Sequence, residues 1–128
     1  MTGNESVLDR WLPVVHRNEF ILLGFATHLS FNVVAALAFR LAAASSSWPA
    51  FLAWQVVGNL AGFVTVLALT VLLRFLPLSL VYPLTTGLAV IGVQVLAAHL
   101  LLHEPLAPRV WLGTGLIVAG ILLVGARM

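Results

Sequence analysis

The chain has 128 residues, of which 62% are hydrophobic and 8% charged, and its mean hydropathy is +1.12. Soluble domains carry about 25% charged and 45–50% apolar residues, so this chain has too little polar surface to cover a core in water. Six arginines, no lysine and four acids are too sparse to form a nucleic-acid surface, and the absence of cysteine excludes disulfides, thiolate metal sites and a cysteine nucleophile.

The expected class is all-α integral membrane. About 20 apolar residues cross a bilayer, and four such spans can be drawn over a short N-terminal segment.

Residues 1–19 differ from the rest. Val7, Leu8, Trp11, Leu12, Val14 and Val15 recur at helical spacing among Glu5, Asp9, Arg10, His16 and Arg17. Ser6 and Asp9 have the spacing of a capping box, while Pro13 interrupts a regular helix. The segment is expected to lie in the membrane interface, a floppy tail being the alternative. Its apolar core is too short and too charged for a cleaved signal peptide.

The first span is expected from about Phe20 to Ala44, followed by the loop Ser45-Ser46-Ser47-Trp48-Pro49. The second runs from about Ala50 to Leu73, closed by Arg74. The third runs from about Pro77 to Leu102, and the fourth from about Val110 to Gly125. Short connections make neighbouring spans antiparallel, which gives a four-helix transmembrane bundle over residues 20–128. Arg10, Arg17, Arg74 and Arg127 fall on one side, Arg40 and Arg109 on the other, so the positive-inside rule places both termini in the cytoplasm.

In the first span, His28 precedes Asn32 by one turn on the same face. A buried histidine there would either carry a proton near neutral pH or hydrogen-bond within the bundle. Gln55 and Asn59 in the second span and Gln94 in the third are amides in hydrocarbon. Such groups usually face the bundle interior, as glue between helices or as contacts for a polar headgroup. Arg40 at the end of the first span would meet a substrate phosphate if inward, or snorkel to lipid phosphates.

The third span opens with Pro77 and Tyr82-Pro83, expected to form a hinge because proline removes a backbone donor. Thr85 and Thr86 follow as a polar strip that would line a pathway with Tyr82, or bond back to their own helix. His99 and His103 share a face near the interface, and His16 is expected at the surface. No pair has a metal-ligand pattern, and no cofactor is expected. Glu104, followed by Pro105, is expected to cap the fourth span rather than to serve an enzyme.

Tyr82-Pro83-Leu84, Gly87-Leu88, Glu104-Pro105-Leu106, and Trp111-Leu112-Gly113 through Ala119-Gly120 resemble the final helix pair of the EamA-type repeat of the drug/metabolite transporter superfamily. They also resemble the last two helices of the four-helix small multidrug resistance proteins. The resemblance covers Phe75 to Gly125 well, the first span loosely and the second hardly at all. It implies a four-helix protomer of the bacterial inner membrane that works as a homodimer or as a heterodimer with a similar small membrane protein. Membrane lipid would be its other partner. The resemblance also implies that the fourth helix forms the dimer seam, and Gly113, Gly115, Ala119 and Gly120 suit close helix approach.

One departure matters. The small multidrug resistance exporters carry a glutamate in the first helix, where the alignment places Asn32, with Ser30 or Phe31 there if it shifts. Asparagine cannot titrate, so proton-coupled cation export lacks its group. The flippase-like branch, which handles lipid-linked sugars, resembles this chain better. The expected function is a transporter or flippase subunit for an amphipathic, lipid-linked sugar, working by alternating access. The alternatives are a multidrug exporter and a non-transporting subunit of a larger membrane complex.

Overall fold

The computed structural model describes residues 7–11 and 16–126. A short helix α1 (Val7–Trp11) precedes α2 (Arg17–Ala43), α3 (Trp48–Phe75) and α4 (Leu78–Ile91). The α4 helix continues as a π-helical segment, Gly92–Leu101, and α5 spans Pro108–Gly125. Four helical stretches are long and apolar enough to cross a membrane, with α4 and the π segment forming the third. The chain is therefore an all-α, multi-pass membrane protein. Ser6, Pro13 and Arg127, on which parts of the expected capping box, helix break and charge bias depend, lie outside the described residues.

The tight α2–α3 turn is set locally. The Ser47 hydroxyl accepts from the Ala50 N–H at 3.4 Å, and Pro49 occupies the first turn of α3, where its missing N–H costs nothing. The helix thus starts inside the stretch expected to be loop.

Helices α2 and α3 form the closest-packed pair in the bundle. The buried positions of α2 include Gly24, His28, Ala35, Ala38 and Ala42, and those of α3 are Gly58, Ala61, Thr65, Ala68 and Leu72. The α3 series steps by threes and fours, as do Ala35, Ala38 and Ala42 of α2, which keeps mostly small residues along the facing stripes. Small stripes let two backbones approach in a solvent where apolar side chains gain nothing from merely leaving lipid. The seam is antiparallel. A β-carbon on Gly24 would lie 2.8 Å from Leu72 Cδ2, and one on Gly58 would lie 2.5 Å from Phe39 Cε1.

Leu72, Leu76 and Val81 close the bundle end where α3 turns into α4, with Ile21, Phe25, Leu69, Phe75 and Leu80 packed around them. Pro77 is the N-cap of α4, and Pro83 sits inside the helix, where it removes the donor for the Ser79 carbonyl. The departure from α geometry comes later, at Gly92. There a β-carbon would lie 2.5 Å from Leu29 Cδ1 and 3.3 Å from Val33 Cγ2, so Gly92 lets the third span press against α2. The π turns end with Leu102 N–H donating to the Ala97 carbonyl at 2.9 Å and Glu104 N–H to the Ala98 carbonyl at 2.8 Å. Between them His103 takes φ +54°, a left-handed conformation that reverses the chain direction.

Helix α5 is attached along a narrow line. Thr114 is its one buried residue, and Ile117 and Ile121 fill the space beside Gly87. Its outer surface is bare: Leu112, Leu116, Leu122 and Leu123 are 68–74% exposed. Nothing lies within 4 Å of the β-carbon positions of Gly113, Gly115 and Gly120, and Ala119 is also exposed.

Candidate functional site

A groove of about 760 Å³ runs between α2 and the third span, with Leu69 of α3 contributing to its wall. Helix α2 contributes His28 and Asn32, and the third span contributes Tyr82, Thr85, Thr86, Ala89, Val90, Val93, Gln94 and Ala98. The loop before α5 completes the lining with Glu104 and Leu106. A volume of this size suits a small organic headgroup, and a mixture of apolar wall with few polar groups is the usual character of a ligand site.

The polar residues are held to different degrees. His28 and Thr85 are buried, at 9% and 3% exposure, while Tyr82 is 60% exposed. The Thr85 hydroxyl lies 2.8 Å from the Val81 carbonyl and 3.2 Å from that of Tyr82, so it is occupied by its own helix. Thr86 is exposed and Asn32 half-buried. The Thr114 hydroxyl lies 2.9 Å from Gln94 Oε1 and 3.0 Å from the Val110 carbonyl. A hydroxyl has one proton for two such acceptors; with the amide turned over, Gln94 donates to Thr114 and both bonds form. Either way, Gln94 ties the groove wall to α5.

Six sequence-selected residues therefore meet in one groove: His28, Asn32, Tyr82, Thr85, Thr86 and Gln94. Gln55 and Asn59 do not join them. The Asn59 amide donates to the Gln55 carbonyl at 2.7 Å and lies 3.4 Å from its Oε1. Asn59 is exposed and Gln55 half-buried, and the pair bonds along its own helix, away from the groove lining.

Glu104 differs from its expected role. The α5 N-cap is Ala107, without a side-chain cap, and the Glu104 carboxylate instead accepts from Arg40 Nε at 3.2 Å. This contact joins residues 64 positions apart, beyond the reach of local sequence pattern. The left-handed turn at His103 aims the chain so that the pair can form. His99 stands edge-on to Trp111 with ring centroids 5.4 Å apart. Among the described residues no cluster of three or more His, Cys, Asp or Glu could hold a metal.

The groove sets a few polar side chains among apolar walls. His28, Asn32 and Gln94 offer donors and acceptors on facing walls. Its one carboxylate, Glu104, lies at the end of the groove beside the interhelical loop.

No family model matches the chain, and no solved structure matches it. It is 44% identical over 56 residues to a curated protein of Klebsiella pneumoniae (strain 342), a probable 4-amino-4-deoxy-L-arabinose-phosphoundecaprenol flippase subunit, ArnE. That match spans 44% of this chain and about half, 48%, of the relative. Over that stretch the chain is similar to this small flippase subunit, and four of its helical stretches are long and apolar enough to cross a membrane.

Proposed function

We propose that the protein is a subunit of a flippase that moves a lipid-linked sugar across the bacterial inner membrane. The observation that carries this reading is the groove itself. It joins amide, imidazole and hydroxyl groups from α2 and the third span over apolar walls, which suits a sugar head passing while its lipid tail stays in the bilayer. Asn32 contributes a neutral amide where a cation exporter of similar architecture would need a carboxylate. The similarity to a probable flippase subunit for a phosphoundecaprenol-linked amino sugar supports a lipid-linked amino sugar as cargo.

The protein works by alternating access around the groove, with Pro77 and Pro83 near the moving end of the third span. It acts with a second small membrane protein or a second copy, docked on the bare face of α5 at Gly113, Gly115, Ala119 and Gly120. The exposed amide of Asn59 offers a second polar contact to that partner. Both termini lie in the cytoplasm, by the arginine distribution. Membrane transport, rather than catalysis, is its role.

The test is the leaflet distribution of lipid-linked sugar in cells lacking the gene, read with a membrane-impermeant amine- or diol-reactive reagent. Confinement to the cytoplasmic leaflet, reversed by the wild-type gene, is the expected result. An unchanged distribution would overturn the proposal.

A further inference from the structure

Arg40 lies in the last turn of α2, and its contact with Glu104 joins that helix end to the loop before α5 at 3.2 Å. The side chains are 55% and 41% exposed, and exposed ion pairs contribute little stability and open readily. Glu104 lines the groove. Asn32 lies about 12 Å deeper along α2, at 1.5 Å rise per residue. The groove therefore has a polar interior without a carboxylate, ends at Glu104, and is met there by Arg40, which stands outside the lining and reaches that carboxylate.

That arrangement discriminates between headgroups. A guanidinium has five donors in a fork that matches phosphate bidentately, and the Glu104 contact engages Arg40 through Nε. An incoming phosphate takes Arg40 by displacing the carboxylate. A ligand with phosphate alone would then leave Glu104 ionised and unpaired beside a second anion, which is unfavourable. A ligand carrying both phosphate and ammonium re-pairs both groups.

We propose that Arg40 and Glu104 form a two-charge headgroup subsite, Arg40 receiving phosphate and Glu104 an ammonium, that selects zwitterionic phospho-amine amphiphiles over purely anionic ones. The assignment rests on the reading of the groove as the substrate path.

The test uses the purified full chain in a neutral maltoside detergent with three probes of equal tail length: decyl 2-aminoethyl phosphate, decyl ethyl phosphate and decylammonium. The wild type should bind the aminoethyl ester about tenfold more tightly than the ethyl ester, the scale of one charge-assisted hydrogen bond. Glu104→Gln should erase that preference by tightening the ethyl ester, and Arg40→Gln should weaken both phosphate esters. Glu104→Asp and Arg40→Lys, which keep the charges, should retain the preference. Equal wild-type affinity for the two esters, a ratio unmoved by Glu104→Gln, or loss of preference in Glu104→Asp would each overturn the subsite. The two readings fail separately. Loss of the preference with leaflet confinement intact sinks the subsite alone, and an intact preference with unchanged leaflet distribution sinks the flippase reading alone.

Discussion

The Phe39 ring occupies the space that a β-carbon on Gly58 would need, with Cε1, Cδ1 and Cζ at 2.5, 2.8 and 2.9 Å from that position. Three ring atoms meet one point, so a methyl group there displaces the whole ring and with it the α2–α3 seam. Gly58→Ala should destabilise the protein by about 1–3 kcal/mol, the usual cost of overpacking. Gly62→Ala is the control, because nothing lies within 4 Å of its β-carbon position. Thermal unfolding in detergent should lower the midpoint for the first variant and leave the second at the wild-type value.

Thr114 bonds α5 to the groove wall through Gln94 and is the one buried residue of that helix. Thr114→Val keeps the shape but removes the partner of an amide held in hydrocarbon. Interhelical hydrogen bonds in membranes contribute about 0.6 kcal/mol on average and up to about 1.7. The loss should fall in that range by steric-trap or chemical unfolding in micelles. Faster proteolysis at the α4–α5 loop should accompany it.

His103 is in the left-handed region at φ +54°, which costs a non-glycine residue about 1 kcal/mol. His103→Gly should hold or raise stability, while His103→Val should lower it, since a β-branched residue fits that conformation worst. The same pair of variants should separate in unfolding midpoint.

The α5 face at Gly113 and Gly120 has open space at both β-carbon positions. Leucine at either position should leave the protomer's unfolding midpoint unchanged and reduce its association with a partner subunit, measured by cross-linking or by dimer fraction in micelles. Association at the wild-type level in both variants would remove α5 as the seam.

The four spans were legible because lipid imposes a simple rule: about 20 apolar residues, few charges and no unpaired backbone. The polar strip was legible for a related reason, since His28, Asn32, Thr85, Thr86 and Gln94 stand out against hydrocarbon and their helical spacing gives them shared faces. Gln55 and Asn59 obeyed the same rule differently, satisfying each other over one turn of α3. Other features needed three dimensions. The π segment arises where Gly92 meets Leu29, a contact between distant residues. The Arg40–Glu104 pair spans 64 positions, so nearest-helix capping was the only local answer. The small-residue stripes of α2 and α3 did carry a readable signal, the three–four spacing of Gly58, Ala61, Thr65 and Ala68.

The central claim is that the groove between α2 and the third span carries a sugar headgroup through the membrane. Its most direct measurement reconstitutes the protein with its partner in vesicles holding a lipid-linked amino sugar and follows exposure of the amine to an impermeant reagent. Wild-type protein should equilibrate the two leaflets, and Asn32→Leu, which removes the amide from the groove without altering the α2–α3 seam, should slow this at least tenfold, about 1.4 kcal/mol in barrier. Equal rates for the two proteins, or no exposure above protein-free vesicles, would contradict the account.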